Sequence, residues 1–232
     1  AELLDRLFCK LYSRDLYTYD DDDVKAPNGK IDDASYQGGT GDCWLLAAIN
    51  AITRSKKGLD MLNNSLKLNS DGSITIHLYG VNKEYTISKK DLYAAKELAT
   101  GDLDVRAIEI AIERYLMENK KDDLNGNNPG VAFDILLGGK KTSWKWVGTK
   151  LDDSYREKIN NPDILVVASI SDSEQDAKIN ASNGEEIYAH HAYTVVKADG
   201  NYVYLINPWN SNNLLKLSYR EFQSIFDNFS DM

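Results

Sequence analysis

Between Gln37 and Ile49 the chain passes from a polar approach rich in glycine (Gly38, Gly39, Gly41) into the apolar run Trp44, Leu45, Leu46, Ala47, Ala48, Ile49. A single cysteine, Cys43, stands at the junction. The run is apolar on nearly every side, which fits a buried, rigidly held helix better than a surface one. Asp42 is its expected N-cap. The first N–H groups and the positive end of such a helix lie beside Cys43 and favour thiolate over thiol. Three glycines within four residues let the backbone approach a substrate carbonyl closely. The competing reading is a buried structural cysteine that happens to begin a helix. It leaves Gln37, the glycines and two downstream segments without a reason.

With 232 residues, the chain is long enough for one large domain or two small lobes with separate cores. No run approaches the roughly 18 apolar residues of a membrane span, and no secretory signal is visible. A formal net charge of −9 opposes nucleic-acid binding, which needs a basic stripe. The two cysteines, Cys9 and Cys43, lie in unlike contexts. A disulfide between them would silence the candidate nucleophile, so both are read as free thiols. That favours a reducing compartment but leaves localisation open, a secreted mature form included.

Leu3, Leu4, Leu7, Phe8 and Leu11 fall at helical spacing, so residues 2–12 read as an amphipathic helix with Cys9 off its stripe. The acidic run Asp20 to Asp23 lacks the alternating ligand spacing of an EF-hand and reads as a solvated loop. The helix that begins at Cys43 should end near Lys56 to Gly58, with a short helical piece at 59–62 after it. Residues 73–79 alternate as a strand of a small antiparallel meander, with His77 on its polar side. Residues 104–119 carry Val105, Ile108, Ile112, Tyr115 and Leu116 on one helical face, with a shorter helix at 131–137. Trp144 and Trp146 mark a strand whose aromatics pack in a core or between lobes, and residues 152–160 read as a helix. Four strand-like runs follow at 164–170, 186–198, 202–207 and 214–218. A Ser218/Glu221 capping box then opens a last helix through 226. A helical first part and a strand-rich second part make an α+β chain.

A thiol nucleophile needs a base within hydrogen-bond reach, and the base needs an orienting group. His190 and His191 are adjacent on the 186–198 run. A turn at Asp199 and Gly200 folds that strand back, and a midpoint at 199 puts Asn207 opposite His191 to within about one residue. An Asn amide oxygen there accepts an imidazole N–H and fixes the ring, and the neighbouring Trp209 shields the contact from water. Successive strand side chains alternate in direction, so only one of the two histidines faces the cleft.

These stretches resemble the core of the calpain family of papain-like cysteine proteases. The Gln37 to Ile49 segment, the block His191, Ala192, Tyr193 and the block Asn207, Pro208, Trp209 carry the resemblance; softer similarity extends through 107–115, Gly138 and Gly139, and 217–226. It implies a papain-like, two-lobed fold with the active site in the cleft. A helical subdomain over 1–142 would carry the nucleophile, and a β-rich one over 143–232 the His and Asn. By position, Cys43 is nucleophile, His191 general base and then acid, and Asn207 the orienter. Gln37 and the Cys43 backbone N–H would be the oxyanion donors, with Trp44 and Trp209 supporting the cleft. The order Gln, Cys, His, Asn agrees with the papain-like arrangement.

The resemblance implies an endopeptidase that acts on protein or peptide substrates through a thioester acyl-enzyme. Deamidation or acyl transfer by the same groups, or a catalytically silent interaction module, are the alternatives. The chemistry requires no cofactor. The family's animal members use calcium sites in the core, so calcium is carried as a candidate regulator. Asp33 and Glu113 are its candidate ligands, at positions where ordinary surface acids are an equally good account.

Overall fold

Helix α1 (Cys43–Arg54) is the element against which both halves of the chain pack. Nine of its residues, Cys43 to Ile49 with Ala51 and Ile52, are buried, as an apolar run on all sides requires. The structure is a computed structural model and describes residues 24–120, 122–138, 143–146, 153–170 and 178–232. The helix expected at 2–12, Cys9 and the acidic run at 20–23 lie outside the described residues.

Before α1 comes the short strand β1 (Ser35–Tyr36), and after it α2 (Lys56–Ser65). Helix α1 ends just before the expected 56–58, and α2 takes in the short helical piece expected at 59–62. Ser55 takes extended backbone angles that end α1, and its side chain accepts the Gly58 N–H as the N-cap of α2. Strands β2 (Leu66–Leu68), β3 (Ile74–Leu78) and β4 (Lys83–Ile87) form the expected antiparallel meander, with Ile74, Ile76 and Leu78 buried. His77 pairs across to Glu84 on its outer side and stacks edge-on against Tyr79. Next come α3 (Lys89–Ala94), β5 (Thr100–Gly101), which pairs with β1, then α4 (Leu103–Lys120) and α5 (Pro129–Leu136). Their apolar faces and α1 form one core, with Trp44, Leu45, Ile52, Ile108, Ile112 and Phe133 at its centre.

The second half is built on six strands in the order β12-β11-β10-β7-β13-β6, antiparallel throughout. In chain order they are β6 (Ser143–Trp146), β7 (Val166–Ile170), β10 (His191–Asp199), β11 (Tyr202–Ile206), β12 (Leu214–Ser218) and β13 (Asn228–Asp231). Helix α6 (Asp153–Asn160) precedes β7. The small pair β8 (Lys178–Asn180) and β9 (Glu186–Tyr188) precedes β10. Helix α7 (Tyr219–Ile225) follows β12 and opens with the expected Ser218/Glu221 capping box. Period-two alternation divides the sheet: Val167 and Ala192 join the core of α1, while Val166, Ala168, Tyr193 and Val195 join a second core with Phe222, Phe226 and Phe229. The chain is thus mixed α+β. No described helix is long and apolar enough to cross a membrane.

Two differences from the sequence reading bear on the site. The run expected as one strand over 186–198 is broken, because His190 sits at φ 51° between β9 and β10. Left-handed backbone ends a strand, and no apolar pattern reports it. Strand β13 escapes sequence reading altogether. Asn228, Ser230 and Asp231 are polar but buried, so neither composition nor β-branching marks the segment.

Candidate active site

The nucleophile candidate and the histidine are brought to one end of the molecule by two elements that run in the same direction. Thr194 Oγ1 on β10 donates to the Ala47 carbonyl on α1 at 2.7 Å. Farther along both, Arg54 and Ser55 share one cavity with Val196 and Lys197. Helix and strand therefore advance together, and their first residues, Cys43 and His191, lie at the same end. The turn Pro208–Asn210 also abuts α1, and the Gln37 N–H donates to the Pro208 carbonyl at 3.0 Å. Gln37, Cys43, His191 and Asn207 are all buried.

His191 Nε2 lies 2.7 Å from Asn207 Oδ1. The route to this contact differs from the expected one. Observed partners are Thr194 with Ile206 and Val195 with Leu205, with a bulge before Lys197 and a tip closed by Asp199 and Tyr202. Gly200, at φ 56°, supplies the left-handed residue that a two-residue turn needs. Continued, this register sets Asn207 opposite Tyr193 rather than His191. A slip of two residues keeps the same face, so His191 and Asn207 meet as diagonal neighbours.

Asn207 Oδ1 also accepts the Trp209 backbone N–H at 3.0 Å. A backbone N–H can only donate, so the atom between it and His191 is the amide oxygen. His191 Nε2 must then carry the proton. In the neutral ring this leaves the lone pair on Nδ1, which is buried and makes no hydrogen bond among the described residues. The Trp209 ring lies 4.2 Å from the imidazole, and Tyr193 meets it edge-on at 5.0 Å. Trp44 is fully buried, and its indole N–H donates to the Leu124 carbonyl, which anchors α1 to the 122–126 loop.

Gln37 Nε2 donates to Thr40 O at 2.8 Å, which uses one of its two protons and leaves the other for a further acceptor. The glycine approach packs against the protein itself: a Cβ on Gly38 would come within 2.4 Å of Leu98 O and 2.5 Å of Glu97 O. Thr40 N–H and Oγ1 both bond the Glu97 carbonyl, which fixes the loop there. Asp42 is not an N-cap through its side chain. Its carboxyl turns inward to Glu109 on α4, so the cap that the sequence pattern suggests is overridden by a buried partner 67 positions away. His190 sits half-buried at the kink, off the strand.

The candidate calcium ligands do not come together. Asp33 lies on an exposed loop and accepts the neighbouring Ala34 N–H. That loop is held by protein carboxylates: Asp102 accepts the N–H groups of Asp32 and Asp33, and Asp104 those of Asn28 and Gly29. Burial raises both acids, Asp104 to about 6. Glu113 stands about two and a half turns beyond Asp104 on α4, where burial and Asp123 raise its carboxyl. Among the described residues no three metal-ligating side chains cluster, so Asp33 and Glu113 as placed do not fit a calcium site of six to eight oxygens.

A model of the calpain family cysteine protease matches residues 27–217, most of the chain. The chain belongs to the calpain family. The matched span takes in α1, the Gln37 loop, β10 and the turn after β11, so every candidate group lies within the calpain-family region. A search of curated proteins finds no match.

Proposed function

We propose that this calpain-family domain is an endopeptidase with Cys43 as nucleophile, His191 as general base and then acid, Asn207 as the group that orients His191, and Gln37 with the Cys43 N–H as oxyanion donors. The observation that carries this reading is the contact between His191 Nε2 and Asn207 Oδ1, from which the tautomer follows. Asn207 Oδ1, held by the Trp209 N–H, takes the Nε2 proton of His191 and leaves Nδ1 as the basic atom.

In this scheme Cys43 gives its thiol proton to His191 Nδ1, and the thiolate, favoured at the start of α1, attacks the scissile carbonyl. Negative charge then develops on the carbonyl oxygen, where the Gln37 amide and the Cys43 N–H receive it. His191 passes the proton to the departing amine and a thioester remains on Cys43. Water, deprotonated by His191, hydrolyses the thioester and restores the thiol. No step is routed through a metal. Protein and peptide chains are the proposed substrates.

The test is digestion of an unstructured protein such as casein, followed by mass spectrometry, with calcium and with excess chelator. The scheme predicts peptide fragments in both conditions, lost in Cys43→Ser. Intact protein with mass shifts of deamidation, or no product at all, would overturn it. Strict dependence on calcium would show that a cation site forms which the present arrangement does not hold.

A further inference from the structure

Two acids beside the cysteine have no part in that scheme. Asp42, just before Cys43, and Glu109 on α4 are both fully buried, at 0% exposure. Their carboxyl groups lie close enough that each acts directly on the other's ionisation. Two carboxylates have no proton to share and repel where water is excluded, so one of the two must be an acid. The surroundings decide which. Both Glu109 oxygens accept the Ala99 N–H, at 3.1 and 3.0 Å, and the buried guanidinium of Arg106 acts on Glu109 with its positive charge. Asp42, by contrast, has only its own backbone N–H as a donor among the described residues. Glu109 is therefore the carboxylate, and Asp42 the acid that donates to it.

We propose that Asp42 and Glu109 share a single proton, and that the pair is a positioning device for Cys43 that works only while Asp42 is neutral. The inference rests on Cys43 being the nucleophile. The Asp42 carbonyl accepts the N–H groups of Leu45 and Leu46, at 2.9 and 3.1 Å. The residue that carries the acid thus also closes the first turn of α1, and its carboxyl ties that turn to α4. Neutral, it places no negative charge beside the thiolate. Ionised, it opposes Glu109 and the thiolate together.

The other groups that bear on the pair are Arg106 and Glu113 on α4, Cys43 on α1, and the Ala99 N–H of the 97–101 segment; Asp123 acts through Glu113. Burial, Glu109 and Cys43 all push the Asp42 carboxyl upward. Asp42 therefore holds its proton to higher pH than an ordinary carboxyl does, and turnover falls where that proton is released.

The test compares wild type with Asp42→Asn and Asp42→Ala, using infrared spectra, Cys43 alkylation and kinetics across pH. At neutral pH the wild type should show the carbonyl stretch of a protonated carboxyl that Asp42→Asn lacks. Asp42→Ala should lose about tenfold or more in kcat with KM little changed. The Asn amide N–H can donate to Glu109 in the acid's place, so Asp42→Asn should recover most of that loss and abolish the alkaline decline in kcat and in alkylation rate. Absence of the protonated-carboxyl band, an Asn variant as impaired as the Ala variant, or an unchanged alkaline limb would each overturn the proposal. If Asp42→Ala does not fold, the infrared and Asn results still decide. The infrared comparison, repeated in a Cys43→Ser background, separates this inference from the proteolytic reading, because the band is expected there whether or not proteolysis is found.

Discussion

His191 and Asn207 are joined by a 2.7 Å hydrogen bond although they are not opposite each other in the hairpin. Their diagonal relation makes the contact depend on Asn207 being held from its own side, by the Trp209 N–H. Asn207→Ala should lower kcat about a hundredfold with little change in KM, because the ring is freed to rotate and its tautomer is no longer fixed. Steady-state kinetics on a short peptide checks this.

The two histidines should separate cleanly. His191→Ala should abolish turnover. At His190 the relevant substitution is Asn, which tolerates the left-handed backbone seen there where Ala would be strained. His190→Asn should keep most activity and an unchanged melting temperature. A dead His190→Asn with an active His191→Ala would reverse the assignment.

Gln37→Ala should reduce kcat about 10²–10³-fold, some 3–4 kcal/mol of transition-state stabilisation. The loop itself should persist, since its backbone is tied to Pro208 and to Glu97 independently of the Gln37 amide group. Near-normal kcat in a folded variant would remove Gln37 from the scheme.

Gly38→Ala tests whether the loop's close approach is structural. The added methyl meets two carbonyl oxygens at 2.4 and 2.5 Å, and backbone atoms cannot swing aside as a flexible side chain can. A loss of about 1–3 kcal/mol in stability is expected, read as a lower denaturation midpoint, with turnover falling as the Gln37 loop shifts. Unchanged values for both would show that the loop relaxes freely.

Stability should rise as pH falls from about 7 to about 5. Asp42, Asp102, Asp104 and Glu109 are all raised by burial, Asp104 to about 6. Between the ordinary carboxylate range and these raised values the folded state holds protons that the unfolded chain has released. Stability from this source is therefore full below the ordinary carboxylate range and is lost as pH rises through the folded values. Glu221, lowered to about 2 by its bonds to Ser182 and Ser218, works in the opposite sense and matters only in stronger acid. Asp104→Asn should flatten the slope between pH 5 and 7, as thermal melts across pH would show.

What could be read before the fold, and what could not, follows from the range of the forces involved. The burial of α1 is legible because an unbroken apolar run is a local signal. The contact between His191 and Asn207 is legible for a subtler reason: the hairpin register is two residues from the one expected, and a period of two forgives that error. A slip of one would have turned Asn207 to the other face. Asp42 shows the limit. Its sequence context is that of a cap, but Glu109 and the absence of water decide its role, and neither is visible locally. The left-handed turn at His190 and the polar strand Asn228–Asp231 are hidden likewise, since each is imposed by neighbours distant in the chain.

The position of β13 sets an order of events. It pairs with β7 on one side and β6 on the other, and among the described residues β6 joins the sheet through it alone. Residues 143–146 leave the ribosome long before 228–231, so an early strand must wait for a late one. The hairpin that carries His191 and Asn207 needs no such wait, since β7, β10, β11 and β12 pair among themselves. During synthesis the catalytic hairpin can therefore form ahead of the completed sheet, and a strand made later fixes the place of one made before it.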